Sequence, residues 1–147
     1  MLYFAYGSNL NHHQMKNRCS GAKYIKKYTL NGYKLCFSHK TNHSIYGHAN
    51  IIKNKKTKVN GALWHINKKD EKELDWYEGV DYNYYQKDYF TLKGKRVLFY
   101  IQNIYYLKKP NSTYLHTIID GYKDCFLDIK NLKKVISKYT VKYKINW

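Results

Sequence analysis

Apolar and polar positions change period several times along the chain, and the first change is the most informative. Leu2-Tyr3-Phe4-Ala5-Tyr6 is apolar or aromatic throughout, the pattern of a strand buried on both faces. The run breaks at Gly7-Ser8-Asn9, and a helical pattern restarts from Leu10. Asn11 and Gln14 have the spacing of a capping box, with Leu10 and Met15 placed as a hydrophobic staple, which predicts a helix from about His12. A glycine lets the backbone turn sharply and bring main-chain N–H groups close to a ligand, so strand, Gly-Ser turn and helix start can together hold an anion or an oxyanion. The same three elements also occur with no ligand, and on this segment alone the two readings are balanced.

Further on, Ala22 to Leu30 and Tyr33 to His39 read as two strands of a hairpin around Asn31-Gly32. Lys40 to Tyr46 is polar and predicts a loop, Gly47 to Ile52 a strand, Lys53 to Lys58 a basic turn and Val59 to Ile66 another strand. Asn67, with Asp70 three residues later, opens a short helix that carries Leu74 and Tyr77 and stops at Gly79, placed for the left-handed position after a helix. Glu78 then ends that helix. The macrodipole disfavours an anion there, and Trp76 and Tyr77 are placed to exclude water; both effects raise a carboxyl pKa. A glutamate at a helix end is otherwise an ordinary solvated charge. Tyr84 to Leu92 and Arg96 to Tyr106 form a second hairpin around Lys93-Gly94-Lys95. Pro110 and Ser112 introduce a helix with Leu115, Ile118, Ile119 and Tyr122 at helical spacing, closing near Gly121, and Asp128 starts a last amphipathic helix through Ile129, Leu132, Val135 and Ile136. Strands fill the first two thirds and helices the last, with no repeat and no linker. This is an α+β pattern, and residues 1–147 fit a single domain.

Composition adds charge. The formal net charge of +17 invites a nucleic-acid reading, in which lysines and interleaved tyrosines grip a single strand without catalysis. Against it, only Arg18 and Arg96 are arginines, and the residue that forks onto phosphates and bases is Arg rather than Lys. Lys, Asn, Ile and Tyr are abundant together, as an AT-rich coding sequence would produce, so a solvated lysine surface that attracts small anions is the better reading. Cys19, Cys36 and Cys125 are an odd number with no close pair, and no basic-then-apolar leader opens the chain, which predicts reduced thiols in a soluble, cytoplasmic protein. No apolar run approaches the roughly 20 residues that cross a bilayer. His39, His43 and His48 lack a recognised ligand spacing and a nearby carboxylate or thiol, so no metal is assigned to them.

Tyr3-Phe4-Ala5-Tyr6-Gly7-Ser8-Asn9-Leu10 resembles the N-terminal signature of the gamma-glutamylcyclotransferases. The resemblance continues at Gly61-Ala62-Leu63-Trp64, at Leu74-Asp75-Trp76-Tyr77-Glu78-Gly79-Val80 and at Tyr114 to Gly121, in the family's order and near its spacing. It implies a small mixed β-barrel flanked by helices, with a pocket at one mouth. The implied reaction is attack by the α-amine of a γ-glutamyl compound on its own γ-carbonyl, giving 5-oxoproline and a free amine or amino acid, with no cofactor. Residue by residue, the resemblance makes Glu78 the catalytic acid and base, and has Tyr3, Phe4, Ala5, Tyr6, Gly7, Ser8, Asn9 and Tyr114 bind the substrate. The partner is then a small γ-glutamyl molecule, held by a monomer or a homodimer. Trp76-Tyr77 stand where relatives often carry smaller or polar residues, implying a tighter or more apolar pocket around Glu78.

Overall fold

The unbroken apolar run at the N-terminus becomes Leu2–Ala5 (β1), an inner strand of a mixed six-stranded sheet. This is seen in a computed structural model, which describes residues 1–139, 145 and 147. β1 runs antiparallel to His48–His65 (β3) on one side and parallel to Lys95–Ile101 (β5) on the other. Tyr3, Phe4 and Ala5 are all buried, Tyr3 packing against Tyr100 and Phe4, which alternates to the other face, against Tyr28 and Phe90. The full strand order is β4-β5-β1-β3-β2-β6, with Lys23–His39 as β2, Gln86–Leu92 as β4 and Tyr106–Leu107 as β6. The sheet curls into a half-barrel accompanied by four helices: His12–Arg18 (α1), Lys68–Tyr77 (α2), Ser112–Asp124 (α3) and Lys130–Ile136 (α4). The expected α+β class and mixed barrel-like sheet are therefore present.

Two local expectations fail. Asn31-Gly32 is no hairpin turn: β2 continues through it and pairs along its length with β3. A two-residue hairpin of the favoured type needs positive φ at both central residues. Here only Gly32 has it (φ +84), the signature of a bulge, while the opposite strand spreads Asn54 to Thr57 between the pairs Tyr33↔Lys53 and Asn31↔Lys58. With it fails the predicted basic turn: Lys53 to Lys58 lie inside the continuous strand β3, and the chain reverses instead in the polar stretch after His39. Lys93-Gly94 shows the contrast, since both are positive (φ +49 and +78) and join β4 to β5 as a tight hairpin.

The second failure is the strand expected over Arg96 to Tyr106. It leaves the sheet after Ile101, where Gln102 turns inward: its N–H donates to Asn50 Oδ1 and its side chain accepts from Ser38 Oγ. The chain rejoins at β6, on β2 rather than β4. Likewise β4 begins at Gln86, so Tyr84 and Tyr85 stay outside the strand.

Around β1 the turn is clamped from behind. Ser8–Leu10 forms one 3₁₀ turn, and α3 packs so closely on it that a Cβ on Gly121 would lie 2.7 Å from Asn11 N. Asn11 Nδ2 donates to Thr117 O, and His12 N–H donates to Asp124 Oδ2 at 2.9 Å. Asn11 caps α1 through Gln14 N–H as expected. The Gln14 side chain, however, does not return to Asn11; it reaches Ser8 and Asn9 instead.

Candidate active site

A pocket of about 200 Å³ opens where the end of β1, the start of β3, the end of α2 and the start of α3 meet. Seven of the nine residues expected from sequence line it: Tyr3, Tyr6, Gly7, Ser8, Asn9, Glu78 and Tyr114. Phe4 and Ala5 do not. Phe4 packs in the core against Tyr28 and Phe90, and Ala5 is buried in the sheet opposite Ala62. Gln14, Arg18, His48, Ala49, Tyr77, Tyr84, Tyr85 and Tyr100 complete the wall.

Glu78 sits at the end of α2, followed by Gly79 in the left-handed conformation (φ +64) that closes the helix. Its Oε1 accepts from Asn9 Nδ2 at 3.2 Å. Asn9 is the hub of this corner: Nδ2 also donates to the Tyr3 hydroxyl, while Oδ1 accepts from Gln14 Nε2 and Arg18 Nη1, each at 3.0 Å. Those four contacts fix which way the amide points. Burial pushes the Glu78 carboxyl up from 4.5 to about 7, while the Arg18 guanidinium and the Asn9 amide pull the other way. The carboxyl is therefore poised to take and return a proton near neutral pH.

The water exclusion comes from a different source than the sequence suggested. Trp76 is 71% exposed and is no part of the pocket wall, and Tyr77 lies at the rim with the Arg18 guanidinium 4.3 Å from its ring centre. The rings that feel the Glu78 charge are Tyr3, Tyr6, Tyr84, Tyr85, Tyr100 and Tyr114. Burial raises the pKa of all six, so they stay protonated as neutral hydroxyls. Several are already committed: Tyr6 donates to Tyr100 O, Tyr85 to Ala49 O and Tyr100 to Asp75. His48, lowered by burial and then by His39 and Arg18, is neutral and bonds the Tyr84 hydroxyl through Nδ1. The Tyr84 ring meets His39 in a tilted contact and His48 edge-on, so these two histidines serve in an aromatic cluster.

The opposite corner offers donors. The Tyr114 hydroxyl accepts from Ala49 N–H at 3.0 Å and is also hydrogen-bonded to the Ser8 side chain. In the 3₁₀ turn, Leu10 N–H is bonded to Gly7 O; the earlier N–H groups, of Ser8 and Asn9, have no acceptor within the turn. Gly7 is needed here for a reason other than its dihedrals. Its φ of −117 is open to any residue, but a Cβ would meet Ala49 Cβ at 2.9 Å and the Tyr114 hydroxyl at 3.5 Å. The close approach of β3 to the turn is what excludes a side chain.

Among the residues that sequence reasoning missed, Gln14 and Arg18 had a usable signal. They stand four apart on the helix that follows the Gly-Ser turn and so share the face nearest it. His48, Tyr84 and Tyr85 had none, because their place depends on where β3 and β4 begin. The tyrosines converge on a concave site, and this arrangement weighs against a flat stacking surface for single-stranded nucleic acid.

The family model described as "Gamma-glutamyl cyclotransferase, AIG2-like" matches residues 3–122. The chain is 31% identical to a gamma-glutamylcyclotransferase of Bos taurus over 97% of this chain and 81% of that protein. It is 30% identical to the Homo sapiens protein of the same name, over 91% and 76%. A solved structure named gamma-glutamyl cyclotransferase superposes with a TM-score of 0.78 at 29% identity, covering 96% of this chain and 91% of that one. The matched stretch begins in β1, ends in α3 and so contains every wall of the pocket, and the chain belongs to the gamma-glutamylcyclotransferase family.

Proposed function

We propose that the protein is a gamma-glutamyl cyclotransferase acting on small γ-glutamyl compounds. The α-amine of the substrate attacks its own γ-carbonyl carbon; the new C–N bond closes a five-membered lactam, the γ-amide C–N bond breaks, and 5-oxoproline and a free amine leave. The observation that carries this reading is a single carboxyl, Glu78, raised to about 7 in a pocket that also supplies fixed hydrogen-bond donors. Because nucleophile and electrophile are tethered, holding the chain folded back supplies an effective molarity of order 10⁵ M or more. Proton transfer and charge remain. The α-ammonium, with a reference pKa of about 8, must lose a proton before it attacks, and the departing amine must gain one. Glu78 accepts the first as a carboxylate and returns it as an acid to the departing nitrogen; the second proton, shed as the attacking nitrogen becomes the lactam N–H, passes to the same amine, which leaves as an ammonium ion.

The α-carboxylate and the oxygen that becomes an oxyanion are held by the Ser8 and Asn9 N–H groups and the Tyr114 hydroxyl. These donors are fixed before charge develops, which is the condition for stabilising it. Cys19, Cys36 and Cys125 are free and buried, with thiols pushed up to about 12, 11 and 12, fitting a reducing compartment such as the cytoplasm.

The test is release of 5-oxoproline from a panel of γ-glutamyl donors, γ-glutamyl-alanine first, by the purified protein and its Glu78→Gln variant. Turnover by the parent and its loss in the variant is the expected result. A variant that matched the parent would remove Glu78 from the mechanism, and a parent inert on every donor would remove the reaction.

A further inference from the structure

A second cavity, of about 230 Å³, lies away from the catalytic pocket and shares no lining residue with it. Its rim carries Lys34 from β2, Lys58 from β3, and Lys134 and Lys138 from the C-terminal end of the chain. Its interior is lined by Leu35, Val59, Tyr122 and Val135. Four ammonium groups thus surround a cavity with an apolar floor, and no Asp or Glu is among its described lining residues. Neither ion pair found among the described residues involves any of the four. Lys34 in particular, and Lys134 behind it, push the Lys138 ammonium toward losing its proton, a mark of like charges brought together. Two elements build the arrangement. Lys58 and Val59 follow directly on the Asn54 to Thr57 excursion in β3, while Lys134 lies in α4 and Lys138 just past its end.

Like charges converging without a counter-charge are a frustrated arrangement that an anion relieves, and the surrounding field of +17 concentrates anions at the surface. Isolated surface lysines would stop there. What distinguishes this cluster is the concave apolar floor beneath it, which favours a ligand that buries a hydrocarbon or ring while its charge meets the rim. We propose that this cavity is a second binding site for a small phosphate monoester that carries an apolar or aromatic part. α3 and β3 each contribute to both cavities, Tyr114 and Ala49 to the catalytic pocket, Tyr122 and Val59 to the second.

The probe is phenyl phosphate, titrated into the ¹⁵N-labelled full chain and followed by amide chemical shifts, with inorganic phosphate and phenol as its two halves. The expected result is saturable shifts confined to residues 34–35, 57–60, 122 and 131–138, with phenyl phosphate binding at least about tenfold more tightly than either half. Lys34→Gln with Lys138→Gln should weaken it by about tenfold, whereas Lys55→Gln with Lys56→Gln, which removes equal charge nearby, should change it by less than about twofold. Equal losses in the two double variants, or equal affinity for phosphate and phenyl phosphate, would reduce the effect to net charge and overturn the proposal. Binding to vesicles one-third phosphatidic acid, with no response to phenyl phosphate, would overturn it in favour of a membrane headgroup.

Discussion

The two corners of the candidate active-site pocket are built on opposite terms. At the Glu78 corner every valence of Asn9 is used: Oδ1 accepts from Gln14 and Arg18, and Nδ2 donates to Tyr3 and Glu78. At the Tyr114 corner the hydroxyl meets Ala49 N–H and the Ser8 side chain, and the turn's first N–H groups have no acceptor within it. The first corner is satisfied before substrate arrives, whereas the second keeps main-chain donors without an acceptor in the turn. A group that shuttles a proton must be held in one geometry and one environment, because both set its pKa. A group that stabilises charge appearing only during reaction must keep its donors available until then.

The largest effect should come from breaking the satisfied corner at its centre. Glu78→Gln keeps the shape and removes the titration, and 5-oxoproline release should fall by about 10³ or more. The same substitution should stabilise the fold. Between pH 4.5 and about 7 the folded protein keeps a proton on Glu78 that the unfolded chain releases, so stability falls as pH rises through that window. At about 1.4 kcal/mol per tenfold change in proton affinity the ceiling is about 3 kcal/mol; partial exposure reduces the expected gain to about 1–2 kcal/mol above pH 7, read from denaturant midpoints. A Glu78→Gln protein less stable than the parent would show that the carboxyl is not strained by burial. Next in size is Gly7→Val at the open corner. Its side chain would run into Ala49 and Tyr114 and displace the turn, costing about 10² in kcat if the variant folds, on the scale of one lost oxyanion donor.

That contrast between corners was only half legible in the sequence. The strand, the Gly-Ser turn and the cap at Asn11 rest on neighbours a few residues apart, and such signals survive folding. So do Asn67 with Asp70, which form a complete capping box, and Gly79 at the end of α2. Asn31-Gly32 failed because its local preference for a hairpin competes with the long pairing of β2 on β3, and only Gly32 took a positive φ. Trp76 failed because an aromatic neighbour in sequence is not a neighbour in space: it points to solvent at the end of α2, while the rings around Glu78 come from β1, β5, α3 and the segment before β4. Gln14 was read as half of a capping box, yet its side chain serves Asn9, a role set by how α1 stands over the turn.

A smaller loss should follow Tyr114→Phe. It removes one donor but leaves the main-chain donors in place, and about tenfold in kcat is expected with little change in folding beyond the lost bond to Ala49 N–H. Arg18→Met probes the satisfied corner more gently. On the proposed mechanism activity requires ionised Glu78 and so should fall as pH drops through about 7; Arg18 holds that pKa down, and its removal should move the acid limb of the kcat profile to higher pH. An unmoved limb with reduced kcat at every pH would instead mean that Arg18 contacts substrate directly.

The smallest effect is expected from Ser8→Ala, and it is the finest discriminator between the corners. Ser8 stands at their junction: its hydroxyl accepts from Gln14 Nε2 at 2.8 Å, and its N–H belongs to the open turn. The substitution removes the hydroxyl and leaves the N–H. Gln14 retains its bond to Asn9 Oδ1, so the hub should hold, and Ala has no side-chain clash with the turn that Ser8 already occupies. If the main chain holds the developing charge, kcat should fall by about threefold or less, and the acid limb should stay where it is in the parent. A loss equal to that of Gly7→Val, in a folded protein, would move the holding role from the backbone to the Ser8 hydroxyl. A shifted acid limb would show instead that Ser8 acts on Glu78 through the hydrogen bonds that run from Ser8 to Gln14 and on to Asn9.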